Sequence, residues 1–268
     1  MTTDPTLDEQ EVARIARNAV SIRTGRRNRG IVLLCEHGGM RIPEPWKNLG
    51  LADPFIETHW AYDIGSRNLT LAIAEALDAT AIVSNYSRLF LDYNRKSNDP
   101  SCMRPDMGGI PVPGNIDLTE FERGLRERIA RQPVEEAVAE HLEGGAGQGI
   151  ISIHSFSPVW DARPRTCQIG VMWKRDDRLS APLLAALDEQ DQFRVEDNQP
   201  YSFAESDWFT LDRHGLSIGV PNAYIEVRND LIRTQSGVEA MAEILAPAIL
   251  RSFESLPHKL AGRAKRSG

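Results

Sequence analysis

The sequence predicts a single α/β domain with a largely parallel sheet, and three observations carry that prediction. Short apolar runs such as Ile31–Cys35 and Gly149–Ile153 are rich in strand formers. They are too short for helices and match strands buried on both faces. Longer stretches with apolar residues at helical spacing alternate with them along the chain. No repeat and no break in composition divides the 268 residues, a length that can bury a full core. The expected domain therefore spans residues 1–268, with its core at about 30–255 and a peripheral N-terminal helix and basic C-terminal tail.

In order, Val12, Ile15, Ala16 and Ala19 lie at helical spacing behind Pro5, which predicts an amphipathic helix over Thr6–Val20. The arginine-rich stretch Ser21–Gly30 (Arg23, Arg26, Arg27, Arg29) follows as a solvated loop. The first strand delivers Glu36 and His37 at its end, and two glycines then let the backbone turn or approach a neighbour closely. Arg41-Ile-Pro-Glu-Pro-Trp46 holds two prolines and forms a loop over the strand ends. Tyr62–Leu77 is a helix with Leu69, Ala72, Ile73, Ala76 and Leu77 on one stripe. Asp63 lies at its start, where an acid commonly caps a helix for about 1 kcal/mol. Thr80–Asn85 is the second strand and Leu89–Asp92 a third. The Pro- and Gly-rich segment Asn98–Asn115 is irregular, as functional or mobile segments of folded domains often are.

Thr119–Leu142 forms a long charged helix behind a Thr119 cap, with Pro133 marking a kink or a division. The glycine cluster Gly144–Gly149 feeds a strand that ends at His154. Cys167–Trp173 is another strand, Ser180–Gln190 a helix, Asn198–Ser202 a turn and Trp208–His214 a short helix. Asn222–Arg228 is a strand carrying Glu226 in an apolar context, and Thr234–Glu254 is the last helix. The tail Lys259–Gly268 is basic and rich in small residues.

Composition narrows the function. A net charge of −7 argues against binding nucleic acid, where affinity comes largely from Lys and Arg. No apolar run approaches the ~20 residues that span a bilayer. The start Met-Thr-Thr-Asp-Pro lacks the basic and apolar regions of a secretory signal, and the three cysteines have no Cys-x-x-Cys spacing. A cytoplasmic location is the expectation, with no disulfide framework and no thiolate metal knot.

Ligands in α/β sheets bind beyond the carboxyl ends of the strands, where two histidines, His37 and His154, are delivered by similar apolar strands. A catalytic zinc takes three nitrogen or oxygen ligands and keeps one position open. His37, Asp63 and His154 lie at such element ends, with Glu36, His59 and His214 as substitutes. Glu226, inside a strand, is the candidate proton acceptor; the competing reading pairs it with Arg228, two residues on and on the same face. Arg88 and Arg95, near strand ends, suit a two-pronged grip on a substrate carboxylate.

Several motifs then resemble the N-formylglutamate amidohydrolase family. They are Cys35-Glu-His-Gly-Gly with Arg41-Ile-Pro, Ala61-Tyr-Asp-Ile-Gly, Tyr86-Ser-Arg-Leu, Asp92-Tyr-Asn-Arg, Ile153-His-Ser-Phe-Ser-Pro, Asn198-Gln-Pro-Tyr-Ser and Ile225-Glu-Val-Arg-Asn-Asp-Leu-Ile. They come in the family's order and cover Gly30–Ile232. The order of His-Gly-Gly, helix-start acid, Ser-Ile-His and strand Glu is also similar to zinc-dependent cell-wall amidases. The resemblance implies a three-layer α/β/α, zinc exopeptidase-like fold with a mixed, largely parallel sheet. It implies one zinc or similar divalent ion on His37, Asp63 and His154, and Glu226 as general base. Asn94, Arg88, Arg95 and Arg228 are the expected substrate contacts. Glu36-His-Gly-Gly and Asp92-Tyr-Asn-Arg-Lys96 depart from the Pro-His-Ala-Gly and Asp-Leu-Asn-Arg-Pro of histidine-degrading members, and that departure bears on substrate rather than chemistry.

The expected function is metal-dependent hydrolysis of the amide bond of a small anionic N-acyl amino acid such as N-formylglutamate. The alternatives are an amidase acting on a peptidoglycan-like N-acyl amide and a non-catalytic binding protein on the same fold. No nucleic-acid or membrane partner is expected, and the sequence sets no oligomeric state.

Overall fold

The apolar runs form the middle of the sheet. In the computed structural model, which describes residues 7–26, 30–142, 147–201 and 209–257, β2 (Ile31–Cys35) and β4 (Gly149–Phe156) are buried along their whole lengths. Strands buried on both faces suit the middle of a sheet, and each of the two pairs on both edges. Outside them lie β1 (Val20–Arg23), β3 (Thr80–Ser84), β7 (Ile169–Met172), β8 (Val195–Asp197) and β9 (Asn222–Arg228), in the order β1-β3-β2-β4-β9-β7-β8. The central β3, β2, β4 and β9 are parallel, while β1 is antiparallel to β3 and β7 to β9. β5 (Val159–Trp160) and β6 (Arg163–Pro164) form a separate small hairpin.

The helices are α1 (Glu9–Ala16), α2 (Asp53–Ile56), α3 (Ser66–Leu77), α4 (Glu120–Arg126), α5 (Gln132–Leu142), α6 (Ser180–Asp188), α7 (Phe209–His214) and α8 (Gln235–Glu254). Strand alternation divides the core in two. Val32, Leu34 and Ile150 pack with Val12 and Ile15 of α1 and Val134 and Val138 of α5. Leu33, Ile151 and Ile225 face the opposite way, towards Leu69 and Ile73 of α3, Leu183 of α6 and Leu245 of α8. The result is the expected α/β/α arrangement with a mixed, mainly parallel sheet. Each fully buried side chain of this size stabilises by roughly 1.5–3 kcal/mol, so the sheet centre is the most strongly held part of the chain.

Two local expectations are corrected. Part of the stretch read as a basic loop is the edge strand β1, whose Arg23 Nη1 donates to Ala74 O and Ala79 O at the end of α3. Leu89–Asp92 is a buried turn rather than a strand: Phe90 N and Leu91 N donate back to Ser87 O, and Ser87 Oγ takes Leu89 N. An apolar run of three, Leu89–Leu91, is satisfied by burial in a turn as well as in a sheet. The long helix divides as expected near Pro133, which has no N–H to give back, through a π turn at Glu127–Arg131. The tail Lys259–Gly268, the start of the glycine cluster at Gly144, Gly145 and Ala146, and Arg27, Arg29, Ser202 and Trp208 lie outside the described residues.

Candidate active site

Three elements deliver the central side chains. His37 stands two residues past β2. His154 is on β4, in register with Glu226 on β9, so both project from the same face of neighbouring strands. Asp63 comes from the loop before α3, and its N–H donates to His37 O at 2.9 Å, which ties this loop to the end of β2. Two glycines permit the approach. A Cβ on Gly39 would lie 2.1 Å from the Asn85 backbone, and Gly65 holds φ +84 against Ile232. Gly65, not Asp63, is the N-cap of α3, and no side chain caps it. The capping role therefore does not apply, and the Asp63 carboxylate is free to point into the site.

There His37, Asp63 and His154 converge, each offering a donor atom, with the three atoms within 4.8 Å of one another. Asp63 Oδ2 lies 2.9 Å from His154 Nδ1 and 3.6 Å from His37 Nδ1. Each imidazole is held from behind by a second carboxylate. His37 Nε2 is 2.8 Å from Asp92 Oδ1, and His154 Nε2 is 3.1 Å from Glu36 Oε2. Glu36, a substitute ligand in the sequence reading, thus stands behind the cluster, where Ser152 Oγ also donates to it. Asp92 is a residue whose role sequence reasoning missed. Its only signal was membership of the Asp92-Tyr-Asn-Arg motif.

The electrostatics follow from burial among opposite charges. Burial pushes the Asp63 and Asp92 carboxyls up, but His37 and, respectively, His154 and Arg88 override it and hold both well below the usual carboxylate range. Burial pulls His154 down, yet Glu36 and Asp63 raise it well above an ordinary imidazole. Glu226 goes the other way: burial, only partly opposed by His154 and reinforced by Asp63, raises its carboxyl to about 8. Its Oε2 has no hydrogen-bond partner among the described residues, and neither has His37 Nδ1.

His37, Asp63, His154 and Glu226 all line one cleft of about 1070 Å³. Asn94 and Arg95 line it too; Asn94 Oδ1 accepts from Tyr224 OH at 3.0 Å, and Arg95 Nη1 donates to Asn94 O. Arg88 also faces the cleft but is spent on the cluster, its Nη1 3.2 Å from Asp63 Oδ1 and its Nη2 3.1 Å from Asp92 Oδ2. The structure does not bring Arg228 there: its guanidinium is bound by Asp230 and Arg165 O. The Glu226–Arg228 ion pair considered from strand spacing is thereby absent, because the nearer carboxylate of Asp230 captures the arginine. His59 lies at the cleft wall, Nδ1 3.7 Å from Asp63 Oδ1, and burial lowers it to about 4, so it is neutral. His214 is buried away from the cleft and likewise lowered to about 4 by burial. Arg104, Trp60, Trp160 and Tyr201 complete the walls; Tyr201 was signalled only by membership of the Asn198-Gln-Pro-Tyr-Ser motif, and the other three, from irregular stretches or a short hairpin, carried no sequence signal.

Two imidazole nitrogens and one carboxylate oxygen, with no thiolate, are a donor set that zinc accepts. The buried, unpartnered His37 Nδ1 and the carboxylates behind both rings fit a metal, because ligating histidines usually donate their other N–H to such a group. A histidine–carboxylate cluster at the ends of parallel strands, beside a glutamate raised by burial, defines a hydrolase-type centre. The chain belongs to the N-formylglutamate amidohydrolase family, whose profile matches residues 29–233. It is accordingly an amidohydrolase. Among solved structures, gene product Atu2144 from Agrobacterium tumefaciens is 31% identical with a TM-score of 0.82, covering 90% of this chain and 97% of its own. N-formylglutamate amidohydrolase from Ralstonia eutropha JMP134 shares the fold at 16% identity and TM-score 0.71, covering 88% of this chain and 98% of its own. No curated protein matches the chain. No described helix is long and apolar enough to cross a membrane.

Proposed function

We propose that the chain hydrolyses the amide bond of small anionic N-acyl amino acids, N-formylglutamate being the compound the family name points to, with a zinc ion held by His37, Asp63 and His154. The convergence of those three donors within 4.8 Å carries the reading. When bound, zinc supplies Lewis-acid polarisation of the scissile carbonyl and acidifies water. Asp92 and Glu36 stand 2.8 and 3.1 Å from the outer nitrogens of His37 and His154, a placement that favours the tautomer whose inner nitrogen offers its lone pair. Arg88 fixes Asp63 and Asp92 relative to each other. Glu226, on the strand beside His154, accepts the proton from the attacking water and returns it to the leaving nitrogen. Burial raises this carboxyl in the metal-free protein, and a cation bound beside it would lower it again towards the ionised form that accepts a proton. Arg95, which lines the same cleft, holds the substrate carboxylate.

An intact donor cluster with a raised glutamate beside it favours catalysis over the binding-protein alternative. The test is turnover of N-formyl-L-glutamate by zinc-loaded protein, together with metal analysis of His154→Ala. Hydrolysis that depends on zinc, with most metal lost in the variant, is the expected result. Full zinc occupancy in His154→Ala would remove that residue from the ligand set.

A further inference from the structure

The cleft is built for more than a formyl group and a short side chain. Its volume of about 1070 Å³ lies at the top of the range, roughly 300–1,000 Å³, that accommodates drug-sized ligands. An N-formyl amino acid would fill a small part of it. The space beyond the histidine–carboxylate cluster is walled by aromatic rings. Trp60 and Trp160, from different loops, stand with ring centroids 6.5 Å apart, and Tyr201 joins them in the same cleft.

These rings are held in place although the mouth is open. Trp160 is 55% exposed and Val159 50%, both on the β5–β6 hairpin. Both also line the cleft, which puts exposed apolar surface at its mouth. The Arg165 guanidinium stacks 5.4 Å from the Trp160 ring, 5.4 Å from Phe156 and 4.9 Å from Tyr201. Its Nη1 also reaches Tyr201 OH at 3.3 Å and Ser157 O at 3.4 Å. Trp60 is held likewise by Arg104, 4.7 Å from its ring centroid. Rings fixed by cation–π contacts lose little conformational freedom when a planar group stacks on them.

Charge lies next to this wall. Arg104 and Arg95 both line the cleft, and Arg104 Nε has no hydrogen-bond partner among the described residues. Asp106 and Asp161 line it as well, and Asp106 accepts Gly109 N through both oxygens. A ligand satisfying this surface pairs a carboxylate with a flat apolar group a few bonds away.

Resting on the amidohydrolase reading above, we infer that the cleft selects N-acyl amino acids bearing an aryl group, with Trp160 and Trp60 as the residues that recognise it. The ring belongs either to the acyl group or to the amino-acid side chain. Both present the same planar apolar surface, and substrates of each type tell them apart.

The test compares N-formyl-L-glutamate, N-formyl-L-phenylalanine and N-benzoyl-L-glutamate as substrates of the zinc-loaded full-length protein. One aryl compound should show a KM at least about tenfold below that of N-formylglutamate, as stacking on a fixed ring provides. Which one does so assigns the wall to the side-chain or acyl end. Trp160→Ala should erase the preference by raising the aryl KM about tenfold with little change in kcat, and Trp160→Phe should keep most of it. A lower KM for N-formylglutamate, or an equal shift for all three compounds in Trp160→Ala, overturns the inference. If none of the three is cleaved, the amidohydrolase reading fails for these compounds. The wall is then decided by calorimetric Kd values for N-benzoylglutamate and N-formylglutamate, in wild type and Trp160→Ala, on the same tenfold criterion.

Discussion

Two buried groups of charge in this molecule are built to opposite rules. Around α4 and the π turn, Arg126 gives Nε to Glu122, Nη1 to Asn115 Oδ1 and Phe90 O, and Nη2 to Gly114 O. Arg131 likewise spends all three nitrogens, on Glu127, Tyr93 O, Asp92 O, Arg95 O and Cys102 Sγ. Apart from Glu122 Oε2, these side chains leave little unmet, and together they pin the irregular 89–115 segment to the helices. Around the ends of β2, β4 and β9, by contrast, His37 Nδ1, Glu36 Oε1 and Glu226 Oε2 are buried without hydrogen-bond partners among the described residues. Leaving such atoms unmet costs stability, about 1–3 kcal/mol each. A fold tolerates that where something else is to be bound. The arginines of the structural network are fully paired, whereas the site keeps several of its buried donors and acceptors open.

Experiments can break or sharpen that contrast. The largest effect should come from metal removal: a chelator should take turnover to background, and added zinc should restore it, while the folded secondary structure seen by circular dichroism persists. Arg126→Ala should act on the other network, lowering stability by about 3–5 kcal/mol because a buried carboxylate loses its partner. Denaturant unfolding would show this, and unchanged zinc stoichiometry in the folded fraction would show that the two networks are separable. A second variant, Glu226→Gln, keeps shape but removes the proton acceptor; kcat should fall on the order of 10²–10⁴-fold with zinc retained. Near-normal kcat there would make Glu226 a structural residue. Asp92→Asn should weaken zinc binding by roughly 10–100-fold through loss of the carboxylate behind His37, as competition with a chromophoric chelator would measure.

The smallest effect is a pH dependence. In the metal-free protein Glu226 is raised from 4.5 to about 8, so the fold binds its proton more tightly than the unfolded chain does. Its contribution is fully present below the unfolded value and is lost as pH rises towards about 8. His154, raised well above its ordinary value, acts in the same direction at higher pH. Asp63 and Asp92, both lowered, lose their contributions only in more acidic solution. The metal-free thermal midpoint should therefore decline from about pH 5 to pH 8. Zinc must displace the His154 proton, so its affinity should climb over the same interval, and the holoprotein's midpoint should gain on the metal-free one. Parallel curves with and without zinc would separate His154 from the metal.

The sequence by itself determined the strands at the centre and the residues at their ends. β2 is a continuous apolar run, and β4 and β9 are strand-forming stretches with few polar residues, so His37, His154 and Glu226 could be placed at or near strand ends before any contact was known. The family was equally legible, because its motifs are local, and the profile match at residues 29–233 runs one residue beyond them on either side. Edge strands β1 and β8 were not legible, since neither has a face that alternates between core and solvent. Leu89–Asp92 was misread because burial alone does not distinguish a turn from a strand. Only the tertiary structure decided the pairings: Asp92 behind His37, Glu36 behind His154, Arg88 drawn onto two carboxylates and Arg228 onto Asp230. Each joins side chains by distance and direction, and a charge in a sequence does not state which opposite charge is nearest once the chain has folded. The aromatic wall of Trp60 and Trp160 belongs to the same class, being made by loops 100 positions apart that only the fold brings together.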